Sequence, residues 1–536
     1  MKRFSFLAIL ICLASLNFAQ NKFDLIIKNA KIIDGSGNPW YNGDVGIRKG
    51  KITQIGNLDI KKAKQVIDAQ GQIVAPGFID VHAHVEGSIQ QIPTADNFLF
   101  DGVTTLVTGN CGGSEVDLKT FYKNLEQNGI SLNITSLVGH NSVRREAMGS
   151  DNREPTAAEL QKMRNLVEQA MRDGAVGLST GLIYVPGTFA KTDEIVELAK
   201  VASEYGGVYA SHIRNEDDKV FNAIAEAVEI GKQAKLPVEI SHFKITGKNE
   251  WGKSTSMIEQ VLQYRAEGID VTVDQYPYTA SSTGLDVLLP TWCLAGGYDS
   301  LNVRLANPTI KAQIVGEMHQ LLAKTGFGNY SYSVVANCNW EPNYNGKNIS
   351  EINISRGNAA SIENEIETIL EMMQHKTRIQ MIYHKMGEED VQRIMQFPYA
   401  MIASDAGIPA FGRGAPHPRA YGTNSRVLGH YTRDLGILRL EDAIRKMTSL
   451  PAKRFNLHDR GLIAPGMAAD IVIFDPNTIA DKATFENSHA YAEGMSYVLV
   501  NGKPVIEKGT HNQAKPGKTL KGPGFRKKVK KSVPKP

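Results

Sequence analysis

The amino-acid sequence predicts an α/β fold, a (β/α)8 TIM-like barrel with a small β-sandwich built from both chain ends. Short β-branched runs alternate with helical stretches through the middle of the chain, and β-like segments flank that middle on both sides. A chain of 536 residues is too long for one ordinary hydrophobic core, so more than one domain is expected. Its composition, 42% hydrophobic and 22% charged, is that of a globular protein.

Eight short apolar runs supply the predicted barrel strands. In chain order they are "GFIDVHAHVE", "VTTLVTGNC", "LNITSLVGH", "AVGLSTGL", "GGVYASHIR", "LPVEISHFK", "IDVTVDQYPY" and "YAMIASDAG". Helical stretches such as "TAAELQKMRNLVEQAMRDG" and "TDEIVELAKVASEYG" lie between several of them. This alternation of strand and crossover helix is typical of a (β/α)8 barrel, which we place at residues 74–454.

The two flanks and one long gap complete the predicted architecture. Segments such as "FDLIIKNAKIID" near the start and "SYVLVNGKPVIEKG" near the end alternate apolar with polar residues. We predict that residues 20–73 and 455–512 form one β-sandwich. Between "DQYPY" and "MIASDAG" lie about 120 residues, far more than an ordinary connection. This gap predicts an insertion, at about residues 285–350, before the last barrel strand.

The extreme ends predict export and a basic tail. Lys2 and Arg3 precede a short apolar run that ends in small residues, so residues 1–19 read as a signal peptide and the location as periplasmic or secreted. The net charge of +4 is uneven, because the last 22 residues hold nine Lys and Arg and no acid. We predict a disordered tail over 513–536 that could contact an anionic surface. A nucleic-acid enzyme is least favoured, since the basic excess is confined to this tail.

Metal-ligand residues stand at the ends of five of the eight predicted strands. These candidates are His82, His84, Cys111, His212, His242 and Asp405. Strand residues i and i+2 share a face, so His82 and His84 point together into the barrel mouth, where active residues of such barrels lie. A single histidine here is more often a hydrogen-bonded core residue. The whole set favours zinc, which accepts imidazole, thiolate and carboxylate ligands.

Several motifs carry a family resemblance. They include "PGFIDVHAHVE", "TGNCG", "GLSTGLIYVPG", "SHIRNE", "EISHFK", "DQYPYTASST", "MIASDAG" and "HPRAYGTNSRVLG". In this order they resemble the N-acyl-D-amino-acid deacylase (D-aminoacylase) branch of the amidohydrolase superfamily. The resemblance extends over nearly the whole mature chain, to about Gly509. It implies a zinc-dependent enzyme that hydrolyses N-acyl-D-amino acids to a carboxylate and a free D-amino acid.

The resemblance also implies roles for the candidate ligands. Cys111, His212 and His242 would hold a tight zinc, and a second, weaker position would be formed by His82, His84 and Asp405. Cys111 matches the cysteine that takes the bridging place in this branch. Many other relatives use a carboxylated lysine on the fourth strand, which the run "VGLSTGL" lacks. Asp405 would be the general base towards water and then the general acid towards the leaving amine.

Substrate contacts follow from the same resemblance. Arg419 matches the family's carboxylate clamp, and a guanidinium binds a carboxylate through two parallel hydrogen bonds. Lys244, two residues past His242 on the same strand face, matches a second contact. Tyr276 and Ser282 follow the seventh strand and could complete the carboxylate pocket, while Tyr184 follows the fourth. We read His140, His384 and His417 as structural or supporting residues.

Alternatives stay open at this point. Another amide hydrolase of the superfamily, a dipeptidase or a cyclic-amide hydrolase, is the nearest, although a hydantoinase-type enzyme should carry the strand-four lysine. A catalytically inactive metal-binding surface protein is a different class, and the retained Asp405 argues against it. The segment "GLDVLLPTWCL" is almost entirely apolar, which predicts a preference for apolar D-side chains over acidic ones. Acyl group, metal count and oligomeric state are left open.

Overall fold

The structure is a computed structural model and describes residues 22–525. Its strands, in chain order, are β1 (Phe23–Ile32), β2 (Tyr41–Arg48), β3 (Lys51–Gly56), β4 (Ala63–Asp68), β5 (Ile73–Pro76), β6 (Phe78–Asp80), β7 (Val103–Thr108), β8 (Asn133–Ser136), β9 (Val138–Gly139), β10 (Gly177–Gly181), β11 (Val208–His212), β12 (Val238–Ile240), β13 (Val271–Gln275), β14 (Ser281–Gly284), β15 (Ser333–Asn337), β16 (Gln380–Tyr383), β17 (Ala400–Ile402), β18 (Ile471–Phe474), β19 (Met495–Val500), β20 (Lys503–Glu507) and β21 (Thr510–His511).

The α-helices cover the segments between these strands. They are α1 (Asp96–Phe100), α2 (Leu118–Asn128), α3 (His140–Met148), α4 (Ala157–Asp173), α5 (Thr192–Glu204), α6 (Val220–Ala234), α7 (Ser254–Ala266), α8 (Gly297–Ala306), α9 (Pro308–Thr325), α10 (Ile349–Ser355), α11 (Ile362–Gln374), α12 (Glu388–Gln396), α13 (Arg419–Arg426), α14 (Leu440–Met447) and α15 (Ser449–Arg454). A π-helix, Val427–Asp434, continues α13.

Helix α4 shows how the sequence sets these boundaries. Thr156 and Glu159 form a capping box, in which each side chain accepts from the other residue's backbone N–H. Gly174 ends the helix with a left-handed backbone conformation, which glycine adopts more easily than other residues because it has no Cβ. Between these ends, four buried side chains at helical spacing, Met163, Val167, Ala170 and Met171, form the face that packs on the barrel.

All eight predicted barrel runs form strands, which lie in two parallel sheets. One has the order β6-β7-β8 and the other β17-β13-β12-β11-β10-β9, with β8 and β9 consecutive in the chain. Backbone bonds also join the first and last runs: the Asp405 N–H donates to the His82 carbonyl, and the His84 N–H to that of Ala406. The carboxyl ends of these parallel strands therefore lie on one face, which positions the candidate ligands.

Strands from both chain ends meet in one mixed sheet. Its order is β21-β20-β19-β18-β5-β1-β2-β3, with β4 paired to β1. An isolated bridge between Lys51 and Ala468 adds a further contact between the two ends. Apolar side chains of both ends, such as Leu25, Ile27 and Ile473, share one hydrophobic cluster. Neither chain end could therefore bury its apolar face without the other.

The long segment between β13 and β17 has its own sheet and core. Strands β14, β16 and β15 pair in an antiparallel sheet, and helices α8 to α11 pack against it. A separate cluster of buried side chains runs from Leu285 to Tyr383. The segment is thus longer than the predicted 285–350, because α11 and β16 belong to the same core. The apolar residues of α11 and β16 do not show, in the sequence alone, whether they belong to the insertion core or to the barrel.

Residues 513–525, which we name the C-terminal strap, are packed against the barrel. The Gly517 N–H donates to the Ile130 carbonyl, the Leu520 N–H to Ile134, and the Gly522 N–H to Gly174. The Lys521 ammonium lies 3.6 Å from the centre of the Tyr122 ring. The prediction of disorder from residue 513 is therefore wrong for this stretch. Backbone hydrogen bonds to the barrel hold it in place, and amino-acid composition gives no information about such bonds.

Residues 1–21 and 526–536 lie outside the described range, and with them the predicted signal peptide and the end of the predicted tail. Within residues 22–525, no helix is both long and apolar enough to cross a membrane.

Candidate metal centre and active site

The predicted ligands come together at the carboxyl face of the barrel. Cys111 lies at the centre, with its Sγ 3.2 Å from His82 Nε2, 3.6 Å from His212 Nδ1 and 3.5 Å from His242 Nε2. The Asp405 Oδ1 lies 3.1 Å from His84 Nε2. Ligand atoms within each of three groups lie within 4.8 Å of one another: His82, His84 and Cys111; Cys111, His212 and His242; His82, His242 and Asp405.

Three of these residues adopt an unusual backbone conformation. Cys111, His242 and Asp405 have φ values of 50°, 36° and 50°, in the left-handed region that residues other than glycine seldom occupy. Each lies two or three residues beyond the end of a barrel strand, on the face where the candidate ligands come together. Strain of this kind costs roughly 1–3 kcal/mol per residue and clusters at functional sites.

The electrostatics of the cluster favour a thiolate and a carboxylate. Burial opposes ionisation of the Cys111 thiol, but the His82 and His242 imidazoles outweigh it and lower its pKa well below the usual value. Burial likewise opposes ionisation of Asp405, and the Arg419 guanidinium, with His82, holds its pKa well below the usual value. A thiolate among imidazoles, with a carboxylate beside them, is a donor set that fits zinc.

Arg419 lies in the site but contacts Asp405. Its Nη1 is 2.9 Å from the Asp405 Oδ2, and its Nη2 donates to the Ser282 carbonyl. The guanidinium also lies over the Tyr276 ring, 4.5 Å from its centre. The Arg419 N–H donates to His417 Nδ1, and the other nitrogen of His417 contacts the Ala280 carbonyl. His417 therefore supports Arg419, in line with its predicted structural role.

The remaining predicted contacts differ in what they touch. The Ser282 hydroxyl donates to the Met381 carbonyl within the insertion sheet, so its backbone carbonyl rather than its hydroxyl faces Arg419. Tyr276 is buried and packs beneath the guanidinium. The Tyr184 hydroxyl accepts from Thr283 at 3.1 Å and borders the cavity above Cys111.

Lys244 does not present a free ammonium. Its Nζ lies 2.5 Å from Glu216 Oε1, 2.8 Å from His242 Nδ1 and 3.1 Å from the His242 carbonyl. The predicted substrate contact is therefore already bonded within the protein. The alternation of strand residues gave the correct face for Lys244, but it carried no information about Glu216, which comes from the loop after β11.

Comparison with known proteins agrees with this geometry. The sequence pattern of the amidohydrolase family matches residues 65–280 and 376–506. The chain belongs to the amidohydrolase family. It is 35% identical over 521 residues to the D-aminoacylase of Alcaligenes xylosoxydans xylosoxydans, covering 93% of this chain and 97% of that one. It is 34% identical over 524 residues to the N-acyl-D-glutamate deacylase of the same organism, covering 94% and 97%.

A solved structure is similar over the same extent. The N-acyl-D-glutamate deacylase of Bordetella bronchiseptica, complexed with zinc and a phosphonate inhibitor that mimics the tetrahedral intermediate, has a TM-score of 0.80 and 33% identity. The match covers 94% of this chain and all of that one. The predicted resemblance to the D-aminoacylase branch and the TIM-barrel type of fold are thereby confirmed.

Two carboxylates of this amidohydrolase were missed by the sequence reading. Asp274 Oδ2 lies 3.1 Å from His82 Nδ1, and its Oδ1 accepts the His242 N–H at 2.7 Å. Glu216 Oε1 lies 3.0 Å from His242 Nδ1 and 3.7 Å from His212 Nε2. Both stand within quoted motifs, "DQYPY" and "SHIRNE", so the available signal was an acid within a motif that already carried a predicted site residue, Tyr276 in the first and His212 in the second.

Two cavities adjoin the cluster. The outer, of about 1090 Å³, is bordered by His84, Cys111, Tyr184 and Arg419. The inner, of about 200 Å³, extends towards the insertion. Tyr184, Ser282, Asp286 and Asp405 border both, so the two cavities meet beside the candidate acid–base residue. This arrangement offers separate space for the two halves of an amide substrate.

The insertion supplies part of the inner cavity. Of the predicted apolar wall, Val287 and Leu288 border this cavity. The other members, Leu285, Leu289 and Trp292, pack in the insertion core. The predicted preference for apolar side chains assumed that this wall offers a substrate no second cation, and that assumption is wrong, because Lys385 also borders the cavity. Burial lowers its pKa, and the acidic side chain of Asp217 lies on the same wall.

Proposed function

We propose that this amidohydrolase is a metal-dependent N-acyl-D-amino-acid deacylase, which hydrolyses the amide bond to a carboxylate and a free D-amino acid. The observation that carries the proposal is the grouping of Cys111 with His212 and His242 beside both cavities. Cys111, Asp405 and Arg419 border the outer cavity, and His212, His242 and Asp405 border the inner one. Similarity to a D-aminoacylase over 93% of this chain supports the substrate class. The preference for D-residues rests on that similarity.

We propose two metal positions. Cys111, His212 and His242, whose ligand atoms lie within 4.8 Å of one another, would hold the tight zinc. His82, His84 and Asp405 would form the second, weaker position, since the Asp405 Oδ1 lies 3.5 Å from His82 Nε2 and 3.1 Å from His84 Nε2. Bound zinc lowers the pKa of a water and polarises an amide carbonyl. Against the effect of burial, the histidines beside Cys111 lower the pKa of its thiol, which favours the thiolate, the form that binds a metal.

Asp405 performs the proton transfers in this proposal. Its lowered pKa keeps the carboxylate ionised, so it can accept a proton from the attacking water. The same carboxyl group then donates that proton to the amide nitrogen, and the C–N bond breaks with a neutral amine leaving. Because Asp405 borders both cavities, it can reach the water and the leaving nitrogen from one position.

Arg419 recognises the free α-carboxylate. A guanidinium presents paired donors that match a carboxylate, and Tyr276 supports its planar face from below. The Arg419 Nη1 also lies 2.9 Å from the Asp405 Oδ2. We propose that a bound substrate carboxylate shares Arg419 with Asp405, while Tyr184 borders the path to the scissile amide. The Ser282 carbonyl keeps the guanidinium oriented.

We further propose the finer architecture and location. The mixed sheet from both chain ends would fold over as a small β-sandwich, supported by the Lys51–Ala468 bridge and the shared core. Residues between β13 and β17 would be an insertion that completes the inner cavity. Export to the periplasm or the medium is supported by the sequence of residues 1–19 alone.

A paired substrate assay tests the proposed function. Protein stripped with a chelator and reloaded with zinc is assayed against N-acetyl-D-leucine and N-acetyl-L-leucine, with a dipeptide and a hydantoin for the alternative hydrolases. Release of D-leucine by the reloaded protein, and not by the stripped protein, is the expected result. Faster hydrolysis of the L-isomer, the dipeptide or the hydantoin would contradict the proposed substrate class.

A further inference from the structure

We infer that Glu216 is a positioning residue that sets which ring nitrogens of His212 and His242 face Cys111. The inference rests on the proposed metal-dependent function. Glu216 follows β11 by four residues, and its side chain is only 11% exposed. Its Oε1 lies behind both imidazoles, 3.0 Å from His242 Nδ1 and 3.7 Å from His212 Nε2. The opposite nitrogens, His242 Nε2 and His212 Nδ1, face the Cys111 sulfur.

The chemistry of imidazole gives this arrangement a consequence. A neutral ring carries its hydrogen on one nitrogen and its lone pair on the other, and only the lone pair binds a metal. An ionised carboxylate only accepts hydrogen bonds. Glu216 therefore favours a hydrogen on His242 Nδ1 through a contact of hydrogen-bond length, and on His212 Nε2 through its negative charge alone, which leaves both lone pairs on the Cys111 side. His212 Nε2 is buried and has no hydrogen-bond partner among the described residues, since Glu216 Oε1 at 3.7 Å is too far for one.

Lys244 provides a competing explanation that can be tested, because it favours the opposite tautomer of His242. An ammonium only donates, and Nζ lies 2.8 Å from Nδ1. A bond from Lys244 to Nδ1 would put the ring hydrogen on Nε2, against the sulfur. Lys244 has two other acceptors, Glu216 Oε1 at 2.5 Å and the His242 carbonyl at 3.1 Å. We assign Lys244 to those two acceptors, where it fixes and compensates the Glu216 charge.

Asp274 forms a similar contact on the other side of the cluster. Its Oδ2 lies 3.1 Å from His82 Nδ1, while His82 Nε2 faces the sulfur. Carboxylates behind metal-binding histidines commonly fix the ring orientation, and their loss typically weakens metal affinity 10–100-fold. Glu216 differs in that one of its oxygen atoms lies 3.0 Å from His242 Nδ1 and also 3.7 Å from His212 Nε2, so its charge acts on two histidines. Its removal should therefore affect the tight position as a whole.

The test measures zinc affinity by chelator competition in the full-length wild type, Glu216→Gln, Lys244→Met and a control, Glu194→Gln. The control removes another buried carboxylate–histidine contact, His140 Nε2 to Glu194 Oε1 at 2.8 Å, outside the cluster. We expect roughly 10–100-fold weaker zinc affinity for Glu216→Gln. Lys244→Met and Glu194→Gln should stay within about threefold of wild type, in line with the bonds assigned above.

A second measurement separates orientation from general damage. Cobalt substitution reports thiolate coordination as an absorption band, and circular dichroism reports the fold of each variant. For folded Glu216→Gln we expect a weaker thiolate–cobalt band at equal cobalt concentration. If Glu216→Gln binds zinc as tightly as the wild type does, and the wild type releases D-amino acid, this inference is overturned and the proposed function stands. A Lys244→Met variant that binds zinc more than tenfold tighter would show that Lys244 sets the tautomer.

Two further outcomes would contradict the inference. An equal loss of zinc affinity in Glu194→Gln would attribute the effect to any lost buried carboxylate, and the positioning role would fall. A wild type that binds no zinc and releases no D-amino acid would overturn both this inference and the proposed function.

Discussion

In the proposed mechanism, Asp405 is a metal ligand, performs the proton transfers and lies beside the substrate clamp Arg419. We predict that Asp405→Asn keeps the fold and the tight zinc but loses kcat by roughly 10²–10⁴-fold, because the amide cannot move a proton between water and amine. The tight position consists of Cys111, His212 and His242 and should be unaffected. Steady-state kinetics with N-acetyl-D-leucine and metal analysis of the purified variant measure the two parts.

A matched control is Asp101→Asn, another buried aspartate, which accepts from the backbone N–H groups of Asn424 and Ser425 away from the cluster. This control should lower stability and leave kcat within a few-fold. An Asp405→Asn variant that turns over within a few-fold of wild type would remove Asp405 from the acid–base role.

Arg419 carries the second prediction at this scale. Arg419→Lys should raise KM for N-acetyl-D-leucine by about tenfold or more, because a point charge cannot reproduce the paired donors of a guanidinium. The wild type should hydrolyse N-acetyl-D-leucinamide poorly, since this substrate lacks the carboxylate. The control is Arg413→Lys, an exposed arginine that also borders the outer cavity. Equal turnover of amide and acid would contradict the clamp.

At the scale of elements, the sequence predicted the barrel strands well, but it predicted poorly which side chains contact the candidate ligands. All eight runs became strands because β-branched residues between turn signals give a local pattern. His82 and His84 lie beyond β6, which ends at Asp80, on either side of the bridge between Ala83 and Ala406. Glu216 and Asp274 could not be assigned from such a local pattern, because their roles depend on distances between neighbouring strands and loops. The bonds of Lys244 are hidden for the same reason.

The C-terminal strap carries a prediction of its own. Gly522 lies so close to the Ala175 carbonyl that an added Cβ would collide with it. Gly522→Ala should destabilise the fold by ~1–3 kcal/mol, as overpacking does, and leave kcat unchanged. Gly328→Ala, where no atom lies within 4 Å of an added Cβ, is the control. Thermal unfolding measures the effect, and equal melting temperatures for both variants would show that the strap does not pack as described.

The insertion governs the prediction about the substrate side chain. Val287 and Leu288 border the inner cavity, so N-acetyl-D-leucine should have a higher kcat/KM than N-acetyl-D-glutamate. Lys385 is the cation that could reverse this order, although Asp217 borders the same cavity. A substrate panel on the wild type and on Lys385→Met separates the cases. Preference for D-glutamate that disappears in Lys385→Met would contradict the apolar pocket.

At the scale of the whole molecule, the barrel depends on contacts between distant parts of the chain. Sheet strands from both ends, and the C-terminal strap, lie far apart in sequence but pack together. Composition predicted disorder for the strap because Lys, Pro and Gly are common in disordered segments. Its glycines instead let the backbone approach the carbonyls of Leu132 and Ala175. The pairing of the two flanks was predictable from their shared alternation, while the strap was not.

The most direct test of a thiolate-held metal in hydrolysis compares Cys111→Ala with Cys338→Ala, another free cysteine, buried in the insertion core. Zinc per chain and release of D-leucine are measured on the same preparations of both variants and the wild type. We predict that Cys111→Ala loses the tight zinc and the activity together, while Cys338→Ala keeps both and loses only stability. Undiminished zinc in folded Cys111→Ala would contradict the account.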